Sequence, residues 1–161
     1  MALFGKHVTT DASAFLGVSR MSNLEDVQIP TKVKLSLLWT CTILCYLYCD
    51  YFGLYVPGKI NSIISGKAGP FGSITQVSLL GMGTLLLVPC LMVAASIFLR
   101  PTFSRWTNIF VGALYTGLMA LIAASVDWNF YRIYATVEAL LTLAIVYIAW
   151  KWPNQNQLPA A

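Results

Sequence analysis

Along most of the chain, polar residues are too sparse to mark out a repeating face, and four long apolar runs dominate. They extend over about Val33–Val56, Ile74–Leu99, Ser104–Val126 and Asn129–Trp150. At a rise of about 1.5 Å per residue, each is long enough for the roughly 30 Å hydrocarbon layer of a bilayer. Pro30 precedes the first run, Pro57-Gly58 stops it, and Pro153 follows the last. Proline lacks the N–H that a helix interior needs, so these positions mark boundaries. The links Arg100-Pro101-Thr102-Phe103 and Asp127-Trp128 are so short that the helices they join should be antiparallel neighbours. The connection from Pro57 to Ser73 is longer and rich in glycine. Within it Ile60, Ile63 and Ile64 recur at helical spacing between Lys59 and Lys67, as in a short helix lying on the membrane or covering the bundle.

Composition strengthens this pattern. Of 161 residues, 58% are hydrophobic and 10% charged, with a mean hydropathy of +0.71. A water-soluble domain carries about 25% charged residues, so these charges are too few to cover a soluble surface. The expected fold is all-α: an antiparallel four-helix transmembrane bundle over 30–153, between a poorly ordered polar extension (1–29) and a tail (154–161). In the extension, MSNLEDV from Met21 reads as a natural translation start, an alternative to Met1.

The net charge of +4 is dispersed, which argues against nucleic acid, and the basic residues instead orient the bundle. Lys6, Arg20, Lys32, Lys34, Arg100, Arg105 and Lys151 fall on the side of the termini; Lys59, Lys67 and Arg132 fall on the other. That bias predicts both termini inside. The single histidine, His7, lies outside the spans, which removes bis-histidine haem and histidine-bound metal centres from consideration. No cofactor is expected.

The informative residues are those a membrane tolerates badly. Asp50 sits roughly 8 Å and Glu138 roughly 13 Å inside the outer ends of their helices, counted at the α-helical rise. Ionisable groups at such depths are functional by default. Helical phase places Thr42, Tyr46, Cys49, Asp50 and Gly53 on one side of the first span. Tyr131, Tyr134, Glu138 and Thr142 cluster on the fourth, and Asn108, Gly112 and Tyr115 share a face of the third. If the first and fourth spans adjoin, these stripes form a ligand or proton pocket in the outer half. Asp50 and Glu138 would be its ionisable centre, with Tyr46, Tyr134, Tyr115 and Thr142 around them. The inner half reads as packing. The structural alternative is that both acids are neutral and donate hydrogen bonds between helices.

Other residues have plainer readings. Cys41, Cys45 and Cys49 repeat one turn apart, a spacing suited to packing rather than disulfides; Cys90 lies at a depth similar to Cys41. Pro89 should free the carbonyl of Leu85 and kink its helix. Gly81, Gly83, Gly112 and Gly117 would let helices approach closely. Arg105-Trp106 reads as an interface anchor, and Arg132 as a snorkelling residue or a partner of Asp127.

Between Ile29 and Pro153 the chain resembles an uncharacterised family of small bacterial four-helix integral membrane proteins, classed as a domain of unknown function. The resemblance is carried by Leu38-Trp39, the stretch CYLYCDYFGLYVPG from Cys45 to Gly58, Gly66, Gly69-Pro70 and Pro89. It continues through Arg105-Trp106-Thr107-Asn108-Ile109, Glu138 and Ala149-Trp150-Lys151-Trp152. It implies a four-span architecture and, with the charge bias, a bacterial inner (cytoplasmic) membrane. It implies no activity. Three function classes follow: a membrane protein binding a small ligand or handling protons; an accessory subunit of a larger membrane complex, or a homo-oligomer, without chemistry of its own; and a thiol-dependent membrane enzyme. The absence of a phosphate loop, nucleophile elbow, metal spacing or dinucleotide fingerprint argues against an enzyme.

Overall fold

A computed structural model describes residues 28–67 and 72–153. The readings of the N-terminal extension through residue 27 and of the tail 154–161 lie outside the described residues. The described chain forms α1 (Thr31–Gly53), α2 (Lys59–Ile64), α3 (Gln76–Phe98), α4 (Pro101–Ser125) and α5 (Asn129–Trp150). Four of these, α1, α3, α4 and α5, are long and apolar enough to cross a membrane. Among the described residues the fold is all-helical, and the protein is multi-pass.

Local chemistry sets the helix ends. α1 stops at Gly53, before the sequence-based limit of Val56, because the chain then turns and reaches Gly58 with φ +80°. That left-handed conformation suits glycine. α2 occupies the segment where the isoleucine spacing predicts a short helix. α3 opens with a capping box, in which Thr75 and Ser78 each bond the other's backbone N–H. Pro101 stands at the first turn of α4, where its missing N–H leaves no helical bond unmade.

Below, the end of the bundle where the described chain enters α1 and leaves α5 is called the terminal end. The opposite end, carrying the 54–75 connection, is the long-loop end. At the terminal end, Lys32 Nζ donates to the carbonyls of Ile97 (3.0 Å) and Leu99 (2.6 Å), and Arg105 Nη2 to that of Trp150 (3.1 Å). Both basic side chains thus satisfy carbonyls that helices α3 and α5 leave free at their C-terminal ends. Arg132 bonds Asn129 Oδ1 and the Val126 carbonyl, so its partners are not the Asp127 that sequence spacing suggests.

Packing is uneven around the bundle. α4 and α5 share the most extensive contact; α1 packs on both α3 and α5, while α3 and α4 touch little. The core at the terminal end joins Leu35 and Trp39 of α1, Met92 of α3, and Ile145 and Ala149 of α5. Gly112 is needed where α4 meets α5, since a Cβ there would lie 2.9 Å from Val146 Cγ2. Gly81, Gly83 and Gly117 instead face open space, so they bring no neighbour close. Burial on α3 begins only at Pro89: the buried residues are Pro89, Met92 and Ser96, whereas Val77 is 78% exposed.

Candidate functional site

The terminal-end half, expected to be largely packing, also holds a buried polar hub. Asn108 is 0% exposed and uses its whole side-chain amide. Its Oδ1 accepts from Trp39 Nε1 (2.7 Å) and lies 3.1 Å from Ser96 Oγ, whose single proton is shared with the Met92 carbonyl. Its Nδ2 donates to the Ser104 carbonyl (2.7 Å) and meets Ser104 Oγ at 3.4 Å. An amide has two donor and two acceptor positions, and all four are occupied here. In a low-dielectric interior such a network is stable only because it is complete.

A second polar contact is attached to Pro89. Because proline has no N–H, the carbonyl of Leu85 loses its helical partner. Tyr115 Oη on α4 donates to that carbonyl at 2.7 Å. Tyr115 also meets Trp39 edge-on, with ring centroids 6.0 Å apart. It therefore joins the hub to the other half of the bundle.

Beyond Tyr115, towards the long-loop end, the four long helices enclose a cavity of about 380 Å³. α1 contributes Tyr46, Cys49 and Asp50; α5 contributes Tyr131, Ala135 and Glu138. Met82, Leu85 and Leu86 of α3 face Tyr115 and an apolar wall of α4 that includes Met119 and Ile122. α3 and α4, which make little contact elsewhere, both border this space.

Glu138 and Tyr46 distinguish the cavity from a packing defect. Glu138 is 3% exposed, and its buried Oε1 has no hydrogen-bond partner. Tyr46 is 7% exposed, and its hydroxyl is likewise unpartnered. Buried polar atoms are overwhelmingly hydrogen-bonded, and each exception calls for an explanation. Asp50, by contrast, is exposed, one turn nearer the long-loop end than Tyr46.

Of the six residues proposed from helical phase, Asp50, Glu138, Tyr46 and Tyr115 line this cavity. Tyr134 instead packs on Phe130, with centroids 5.0 Å apart. Thr142 bonds the Glu138 carbonyl and Thr116 Oγ1, both at 2.9 Å, one turn deeper than the acid. Tyr131 takes the wall position expected of Tyr134, and its hydroxyl reaches the Gly53 carbonyl at 3.4 Å. The missing Cβ of Gly53 admits it, since one there would lie 2.5 Å from that hydroxyl. Tyr131 shares the Glu138 face in sequence, and the glycine opposite it was the available signal. All four cysteines are free: Cys41 and Cys90 are exposed, Cys45 and Cys49 half-buried, and Cys49 reaches the cavity.

A family described as "Family of unknown function (DUF6326)" matches residues 25–160. The chain belongs to this family. The match takes in all five helices and every residue of the cavity. No curated protein and no solved structure matches the chain.

Proposed function

We propose that this DUF6326 protein binds a small molecule in the long-loop half of its bundle, with Glu138 as the polar anchor. One observation carries the reading: an acid 3% exposed, with an unpartnered oxygen, borders a cavity of about 380 Å³. An unpaired buried polar group costs several kcal/mol in hydrocarbon, roughly 1–3 even in proteins at large. A ligand that hydrogen-bonds Glu138 recovers that energy, and a proton relayed through Glu138 and Asp50 uses the same geometry. The one-turn spacing of Cys41, Cys45 and Cys49 supports packing roles for these thiols rather than a disulfide.

The lipid orientation follows from the same reading. Contacts between α1 and α3 pair Lys32 with Leu99 and Ser36 with Val93, running in opposite senses along the two helices. This supports an antiparallel bundle. The basic residues at the terminal end support both termini inside, and a bacterial cytoplasmic membrane accommodates that arrangement. The cavity then lies in the outer half.

The test is a thermal-stability screen of the purified protein against small amphiphiles, run in parallel on Glu138→Gln. Ligands that raise the melting temperature of the wild type should lose that effect in the variant. If the variant keeps its helicity and responds to every such ligand equally, the pocket reading fails.

An accessory or oligomeric role is favoured by a separate feature. Tyr48, Tyr51, Phe52 and Tyr55 form a contiguous aromatic group, all of them exposed. Clustered aromatics suit a protein partner as well as an interfacial belt. Co-purification of a stoichiometric partner in mild detergent, lost on Tyr48→Ala and Phe52→Ala, supports this role; a functional isolated monomer overturns it.

A further inference from the structure

The hydrogen-bonding inventory of the cavity narrows the class of molecule it would hold. The proton of Tyr115 is committed to the Leu85 carbonyl and that of Tyr131 is directed at the Gly53 carbonyl. Towards the cavity these two hydroxyls offer only lone pairs. Ionised, Glu138 and Asp50 add only acceptor oxygens, and Tyr46 supplies a hydroxyl that can donate once. The site is therefore rich in acceptors and poor in donors. A ligand that brings donors completes it; one that brings only acceptors leaves buried oxygens facing one another.

Charge points the same way. Among the described residues that line the cavity there are two carboxyls, Asp50 and Glu138, and no lysine or arginine. Two carboxyls without a buried cation repel an anionic headgroup. They attract a cation, and the aromatic rings of Tyr46, Tyr115 and Tyr131 border the same space. Most of the remaining wall is aliphatic, from Met82, Leu85 and Leu86 to Met119 and Ile122. Its volume of about 380 Å³ falls at the lower end of small-molecule sites.

Resting on the ligand-pocket reading above, we propose that the cavity takes an amphiphilic organic amine. Its protonated nitrogen lies against Glu138, and its apolar body fills the space between α3 and α4. The scant contact between those two helices gives such a molecule a sideways route from the bilayer, so it need not cross the polar surface of the long-loop end.

Three probes share one apolar body and differ only in the head: 1-adamantylamine, 1-adamantanol and 1-adamantanecarboxylate. Each is titrated calorimetrically into the full-length protein in nanodiscs of neutral phosphatidylcholine, with empty nanodiscs subtracted. The wild type should bind the amine about tenfold or more tighter than the alcohol, the margin of one well-placed charged hydrogen bond. The carboxylate should give no signal. Glu138→Gln should bind amine and alcohol alike, and Leu86→Trp, which adds bulk to the α3 wall of the cavity, should bind none of the three. If the wild type prefers the alcohol or does not discriminate, the amine inference falls while the pocket reading stands. If no probe binds the wild type, both fall. An amine preference that survives in folded Glu138→Gln removes Glu138 as the anchor and overturns the proposal. The wild-type comparison decides between cation and neutral ligand even if a variant fails to fold.

Discussion

At the terminal end, Asn108 is fully buried and every hydrogen-bonding position of its amide is matched by Trp39, Ser96 or Ser104. At the long-loop end, Glu138 and Tyr46 are almost as deeply buried, yet Glu138 Oε1 and the Tyr46 hydroxyl have no partner. The two regions stand on the same helices and are separated by little more than Tyr115. They differ in what surrounds the polar groups. Around Asn108, Ser96 and Ser104 hold α3 and α4 together, with Ser104 Oγ on the Ser96 carbonyl at 3.1 Å. Beyond Pro89 lies the cavity, bordered by Leu85 and Leu86 of α3 and by Tyr115 and Met119 of α4. A completed network holds helices in one arrangement, whereas an incomplete one beside a cavity is where a further molecule can contribute energy. The completed network and the cavity thus lie towards opposite ends of one small bundle.

Substitutions can break or sharpen that contrast. The largest effect is expected at the hub. Asn108→Ala leaves the buried indole N–H of Trp39 without its acceptor and opens a void beside Ser96 and Ser104, and should cost about 2–3 kcal/mol. Its measure is the unfolding midpoint in a mixed-detergent titration. Next comes Gly112, where a leucine would drive into Val146 and the Thr142 carbonyl. Gly112→Leu should lose about 2 kcal/mol in the same assay, while Gly83→Leu, facing open space, should stay within about 0.5.

Tyr115→Phe tests the link between the halves. It strips the Leu85 carbonyl of its only side-chain donor and should destabilise by about 1 kcal/mol. Pro89→Ala should offset much of that loss by returning a helical N–H to the carbonyl. A double mutant no more stable than Tyr115→Phe would show that the hydroxyl has another role. The smallest effect belongs to the candidate site itself. The side chain of Glu138 has no bond to lose at Oε1, so Glu138→Gln should change the midpoint by less than about 0.5 kcal/mol. A loss comparable to that of Asn108→Ala would make Glu138 structural glue and erase the contrast.

Much of this could be read directly from the chain. Proline positions and run lengths located the four apolar helices, and depth singled out Asp50 and Glu138. The isoleucine spacing located α2. What could not be read was rotational and relational. Phase alone put Tyr134 and Thr142 with Glu138, because residues within about 80° of one another share a face. Which of them meets the neighbouring helix depends on where that helix lies. Gly53 gives way to Tyr131, and Tyr134 turns to Phe130 instead. Asn108 looked like one more polar residue on a stripe until Trp39 and Ser96 arrived from two other helices.

The division has a physical cause. Length and hydropathy are properties of a segment by itself, and a bilayer responds to them segment by segment, so the sequence alone determined four helices and the acids embedded in them. Helix pairing has no comparable local code, because lipid and protein interior are both apolar and a helix need not show a distinct face to either. Tertiary structure therefore decided which polar groups are satisfied: Asn108 completely, the Leu85 carbonyl by Tyr115, and Glu138 at Oε1 by nothing in the described protein.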